Sequence, residues 1–187
     1  MLLFRKIDET RWFDKQPLES LSVTELNTKD NELSVWMDFR KVYDLDLALA
    51  FILTQNCFND IWCVKIPEER LHEKGLVLRQ QDSGTCYVRM RPYHNNIVVP
   101  TIWELGALSE IIHDLVQNPQ MNCRYFPVND LKAHYYRIIK QDLITIDFNM
   151  RSNKGKWDVL NEMVKKFGPV DFSQLKNVVP FVEKKKK

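Results

Sequence analysis

Glycine is scarce in this chain, five in 187 residues. None is placed as a phosphate-binding loop or a dinucleotide fingerprint, both of which need several glycines at fixed spacing so that backbone N–H groups can approach an anion. A G-x-S-x-G elbow and an H-E-x-x-H helix are missing too, which removes the usual sequence support for serine hydrolases and zinc proteases. Cysteine is equally thin. The four, Cys57, Cys63, Cys86 and Cys123, form no C-x-x-C pair. Neither a local zinc clamp nor the dense disulfide framework of a small secreted domain is therefore expected, and buried free thiols in a reducing compartment are. No metal and no cofactor enters the reading.

Long apolar runs are also lacking. The uncharged stretch 47–59 falls well short of the roughly 20 residues that cross a bilayer, so a buried helix is expected there and no membrane association. The start, MLLFRKIDETRW, meets charge after four residues and has no apolar core of a secretory signal,. The expected localisation is cytoplasmic and the chain is expected to be soluble. Its length fits one domain with a sizeable core. Net charge is only +2, but residues 151–187 carry ten Lys or Arg against four Asp or Glu, a local +6 that leaves −4 for residues 1–150. A basic C-terminal end suits phosphate or an acidic protein, or simply solubility.

What is present is a strand, helix, strand pattern over residues 33–66. Leu33, Val35, Met37 and Phe39 alternate with Ser34, Trp36, Asp38 and Arg40, the period of a strand with one face on a core. Asp44 suits an N-cap for an all-round apolar helix carrying Leu45, Ala48, Leu49, Ile52 and Leu53, and residues 61–66 supply a return strand. Residues 1–7 read as a first strand, and the polar segment 14–31 as surface wrapping.

Pro67, Glu68 and Glu69 begin a short helix that Gly75 closes. Residues 76–81 and 85–91 alternate on either side of Asp82-Ser83-Gly84, which reads as a hairpin. Residues 97–99 read as a short edge strand. Thr101 and Glu104 have capping-box spacing for a helix to about residue 117, with Leu105, Leu108, Ile112 and Leu115 inward and Ile111 and Val116 widening the stripe. Further helices are expected from Asn129 or Asp130 and over 157–167, with a strand over 143–148. The expected fold class is α+β, a single domain over 1–180 with a mixed or mainly antiparallel sheet packed against several helices. A disordered basic tail follows at 181–187. A local parallel crossover within 33–66 is left open.

Two surfaces carry binding chemistry. Hairpin alternation would put Arg79, Tyr87, Arg89 and Arg91 on one face, where guanidinium forks grip phosphate or carboxylate and a tyrosine ring stacks on a base. Lys132, Tyr136, Arg137 and Lys140 form a basic helical arc. His94, in the polar stretch His94-Asn95-Asn96, is the histidine best placed for acid–base chemistry. No constellation of catalytic residues follows from spacing, so an enzyme is not the expectation. The expected function is a non-catalytic interaction module or accessory subunit with a protein partner, compatible with homo-oligomers. The alternative is a nucleic-acid or nucleotide-phosphate binder, with phosphodiester chemistry as an extension.

Overall fold

The computed structural model describes residues 1–13, 25–26, 31–37, 47, 60–81 and 88–127. The expected central helix from Leu45, the Asp82-Ser83-Gly84 turn, the elements beyond residue 128 and the basic tail lie outside the described residues. By contact the chain divides into two compact units, each assembled from three stretches. The first, Met1–Lys41 with Ile61–Gly84 and Pro92–Tyr125, holds the elements that matter below. The second, Val42–Asp60 with Thr85–Arg91 and Phe126–Lys187, contributes few described residues.

Strands β1 (Leu2–Ile7), β2 (Glu32–Met37), β3 (Ile61–Pro67), β4 (Val77–Gln80), β5 (His94–Val98) and β6 (Cys123–Phe126) form one sheet in the order β4-β5-β2-β1-β3-β6. β1 pairs antiparallel with β2 and with β3, and β5 pairs antiparallel with β2 and with β4. The fold is α+β with an antiparallel sheet, as the sequence implied. β2 and β3 run parallel to each other, but β1 lies hydrogen-bonded between them. The 33–66 connection is thus a crossover that steps over a strand.

Register explains the apolar pattern. Leu3 faces Met37 and Ile66, so Leu3 and Ile7 share one face with Leu33, Val35, Val64 and Ile66, all buried in one core cluster. The opposite face is also covered: Phe4, Trp36, Ile61 and Cys63 are buried on it. Strands buried on both faces read as nearly continuous apolar runs, as LLF and IWCVKI do. Trp36, expected on the polar side of its strand, is one of the most buried side chains.

Helices accompany this sheet among the described residues. α1 (Glu9–Trp12) is capped by Asp8, whose carboxylate accepts from Thr10 N–H at 3.0 Å. α2 (Glu68–Glu73) has Pro67 as its N-cap, one position earlier than the sequence pattern put it. It ends in a Schellman motif: Gly75 N–H donates to His72 O at 3.0 Å and Leu76 N–H to Leu71 O at 2.9 Å,. Gly75 sits at φ +71, a left-handed conformation that glycine adopts without a Cβ clash,. Leu71 and Leu76, the two ends of that motif, are both in the core.

α3 (Ile102–Val116) bears out the sequence reading in detail. Thr101 and Glu104 form the reciprocal capping box, and Leu105, Leu108, Ile111, Ile112, Leu115 and Val116 are buried. Its outer face is laced to α2 by Asp114 with Arg70 at 2.8 Å and by Glu110 with Lys74 at 2.9 Å. α4 (Pro119–Asn122), opened by a proline at its first position, leads into β6.

The expected hairpin is corrected. Residues Val88–Tyr93 form a 3-10 helix, and β4 pairs with β5, placing Val77 opposite Val98 and Arg79 opposite Asn96. Pro92 has no N–H to give a ladder, so a strand over 85–91 could not continue through it. The strand forms after the proline instead. It reaches back to His94 and lies between β4 and β2, so it is not the short edge strand expected at 97–99.

Candidate functional site: a polar cluster on β2, β4 and β5

β5 opens with three consecutive polar side chains, His94, Asn95 and Asn96, and all three are buried. Buried polar groups are retained where partners satisfy them, so the partners define the site. Strand alternation puts His94 and Asn96 on one face and Asn95 on the other,. On the first face, β2 contributes Glu32 and Trp36, and β4 with the residue after it contributes Arg79 and Gln81.

Glu32 sits at the centre of the charge. One of its oxygens accepts from Arg79 Nη1 at 2.5 Å and the other from Asn96 Nδ2 at 2.7 Å. Asn96 Nδ2 also donates to Gln81 Oε1. Because an ionised carboxylate only accepts, the NH₂ end of the Asn96 amide must be the end that meets Glu32. That leaves Asn96 Oδ1 buried without a hydrogen-bond partner among the described residues.

The imidazole of His94 is fixed in the same way. Its Nδ1 lies 3.1 Å from the carbonyl oxygen of Gln81, an acceptor, so Nδ1 carries the proton,. Burial pushes the His94 pKa below its ordinary value, with the Gln81 carbonyl opposing the shift. A neutral ring protonated at Nδ1 has a bare lone pair at Nε2, and that atom is buried without a partner among the described residues. Trp36 packs against the ring, with centroids 4.7 Å apart and planes tilted by 47°. The cluster thus presents two unsatisfied acceptors beside an indole, with an ion pair at its rim.

The binding residues expected from sequence fare differently. His94 and Arg79 are brought into this one cluster. Arg79 reaches it by pairing with Glu32, not by sharing a strand face with Arg89 and Arg91, which lie in the 3-10 segment. Tyr87, Lys132, Tyr136, Arg137 and Lys140 lie outside the described residues. Cys63 and Cys123 are buried, and burial pushes the Cys123 thiol up to about 11, which suppresses thiolate chemistry there,. Cys57 and Cys86 lie outside the described residues.

Sequence reasoning missed two features. Glu32 falls between the surface segment 14–31 and the unit 33–66 and carries no reading from sequence, because nothing local reveals a partner 64 residues away at Asn96. The second is an exposed apolar pair at the start of α3. Trp103 is 82% exposed and Ile102 is 66% exposed. The signal for Trp103 was available: it lies two residues before Leu105, on the far side of the helix from the core stripe.

No helix among the described residues is long and apolar enough to cross a membrane, and no group of three or more His, Cys, Asp or Glu among them is arranged to hold a metal ion. Comparison with protein-family models, with curated proteins and with solved structures found no match.

Proposed function

We propose that this chain is an interaction module whose work is binding another protein, with Ile102 and Trp103 as the anchor of the contact. The observation that carries the reading is the exposure of Trp103, 82%, in the first turn of a helix whose other large apolar side chains, Ile102 apart, lie in or against the core. Tryptophan is the residue type most enriched where interface energy concentrates, because it covers a large area with few rotatable bonds and carries one polar N–H. An exposed indole beside an exposed isoleucine gives a partner a compact apolar target.

The position also suits the role mechanically. The turn that holds Trp103 is fixed by the Thr101 and Glu104 capping box, whose Trp103 N–H donates to Thr101 Oγ1 at 3.2 Å. An anchor on a rigid helix start loses little freedom on binding. The test is a comparison of wild type with an Ile102→Ser, Trp103→Ala double variant, both used as bait in the native cell extract. The helical circular dichroism and melting temperature should be unchanged. Proteins retained by wild type at stoichiometric levels should be lost from the variant, and equal retention would remove this surface from the reading.

A further inference from the structure

We propose that the cluster on β2, β4 and β5 is a nucleotide site that reads a guanine edge, with His94 and Asn96 holding the base and Arg79 meeting the phosphate. The inference is independent of the Trp103 surface and starts from the two orphan atoms. His94 Nε2 and Asn96 Oδ1 are both acceptors, both buried, and neither has a partner among the described residues. They belong to alternate residues of one strand and therefore share a face, and Gln81 touches both side chains, one through its carbonyl and one through its amide. The part of a ligand that meets them must offer two adjacent donors and no charge of its own, because Glu32 beside them is already paired with Arg79.

Among the nucleobases that condition selects one. The pairing edge of guanine carries N1–H beside the N2 amino group. Adenine sets an acceptor next to its amino group, cytosine does likewise, and uracil and thymine have one N–H between two carbonyls. Each of these would turn a lone pair toward Nε2 or Oδ1, which a buried site rejects strongly. Trp36 beside the imidazole adds a ring of the kind that bases pack against,.

The outward end of the cluster fits the rest of a nucleotide. Arg79 is the direct cross-strand partner of Asn96, and its side chain is 64% exposed. A sugar and phosphate attached to a base at Asn96 would leave along the Arg79 arm, where a guanidinium fork matches phosphate oxygens. Entry runs past β4, a four-residue strand at the end of the sheet whose side chains are largely exposed. Short exposed strands of this kind open locally at little cost compared with global unfolding.

Equilibrium dialysis of the full chain against GMP, guanosine and AMP tests the proposal. GMP should bind at one per chain, with guanosine on the order of tenfold weaker for want of the charged contact and AMP at least about a hundredfold weaker. Asn96→Ala should abolish binding but also removes a buried partner of Glu32 on which the fold draws, so Arg79→Ala, at an exposed position, is the second variant. It should bring GMP and guanosine to the same affinity, because the phosphate contact is gone and any effect through Glu32 falls on both ligands alike. No retention of GMP at millimolar concentration, equal retention of AMP and GMP, or undiminished GMP binding by Arg79→Ala would each overturn the proposal.

Discussion

Gln81 and His94 are joined twice: the Gln81 carbonyl accepts from His94 Nδ1 at 3.1 Å, and the Gln81 N–H donates to the His94 carbonyl at 3.3 Å. The imidazole cannot turn without breaking the bond that fixes its tautomer, and it cannot take a second proton without burying a charge at Nε2. This ties a local backbone contact to the pH response of the whole unit.

The native state should therefore resist protonation of His94. Its folded pKa lies below the ordinary 6.5 because of burial. Above about pH 6.5 both folded and unfolded chains hold the ring neutral, and the group has no effect. As pH falls below that value the unfolded chain takes up a proton that the native state refuses, so stability falls until the folded pKa is reached. One proton gives a slope of at most about 1.4 kcal/mol per pH unit. Urea unfolding of wild type and His94→Gln between pH 7.5 and 5 isolates the term. A variant with the same slope as wild type would show that His94 is not the group refusing the proton.

Gly75 offers a cleaner test of backbone conformation. An added Cβ would meet no atom within 4 Å, so crowding plays no part and only the φ of +71 matters. Gly75→Ala should destabilise by about 1 kcal/mol, and Gly75→Asn by less, since asparagine tolerates the left-handed region. Equal losses for the two variants in urea midpoints would point to a cause other than φ.

α3 predicts a sharp contrast along one helix. Leu108 is buried in the core cluster and Ile102 is exposed. Leu108→Ala should cost about 2–5 kcal/mol through lost burial and a cavity, whereas Ile102→Ala should stay within about 0.5 kcal/mol. Thermal melts of the two variants decide it, and similar losses would mean that Ile102 is packed.

This contrast also marks what the sequence makes legible. α3 was readable because every level agreed: a capping box at Thr101 and Glu104, a stripe from Leu105 to Val116, and a proline soon after the end,. β4 was legible as a strand but its partner was not, because the nearest plausible one, joined by a turn-rich Asp-Ser-Gly, is interrupted by Pro92, and the real partner begins His-Asn-Asn. Composition alone makes that stretch a loop. Glu32, Gln81 and Trp36 make it a strand, and those contacts span 64, 15 and 58 positions of sequence. The site was half visible for the same reason. His94 stood out as a residue type, while the tautomer and the orphan acceptors depend on groups brought from two other strands.

A last prediction concerns Glu25, which ties its segment to the N-terminal strand and helix. Its carboxylate accepts from Trp12 Nε1 at 2.6 Å and from Asp8 N–H at 3.2 Å. Burial raises its pKa, while Arg5 and the two donors pull it down. Arg5 is itself shifted down by burial and donates to Ser34 O at 2.9 Å, so the charges of Arg5 and Glu25 compensate each other at one end of the sheet. A hydrogen bond to a charged acceptor in such a place contributes more than a neutral one. Trp12→Phe keeps the ring in the core and deletes only the donor, and Glu25→Gln keeps the shape and deletes the charge. Trp12→Phe should destabilise at pH 7, and the same change should cost less in the Glu25→Gln background, with a coupling of about 1.5 kcal/mol. The sign with pH is opposite to that of His94. A carboxyl whose folded pKa lies above its unfolded value holds its proton more readily when folded, so its contribution weakens as pH rises from below 4.5 through the folded pKa,. Guanidinium unfolding of the four proteins at pH 7 reads the coupling, and strictly additive losses would show that Trp12 and Glu25 contribute to stability separately, without a shared bond.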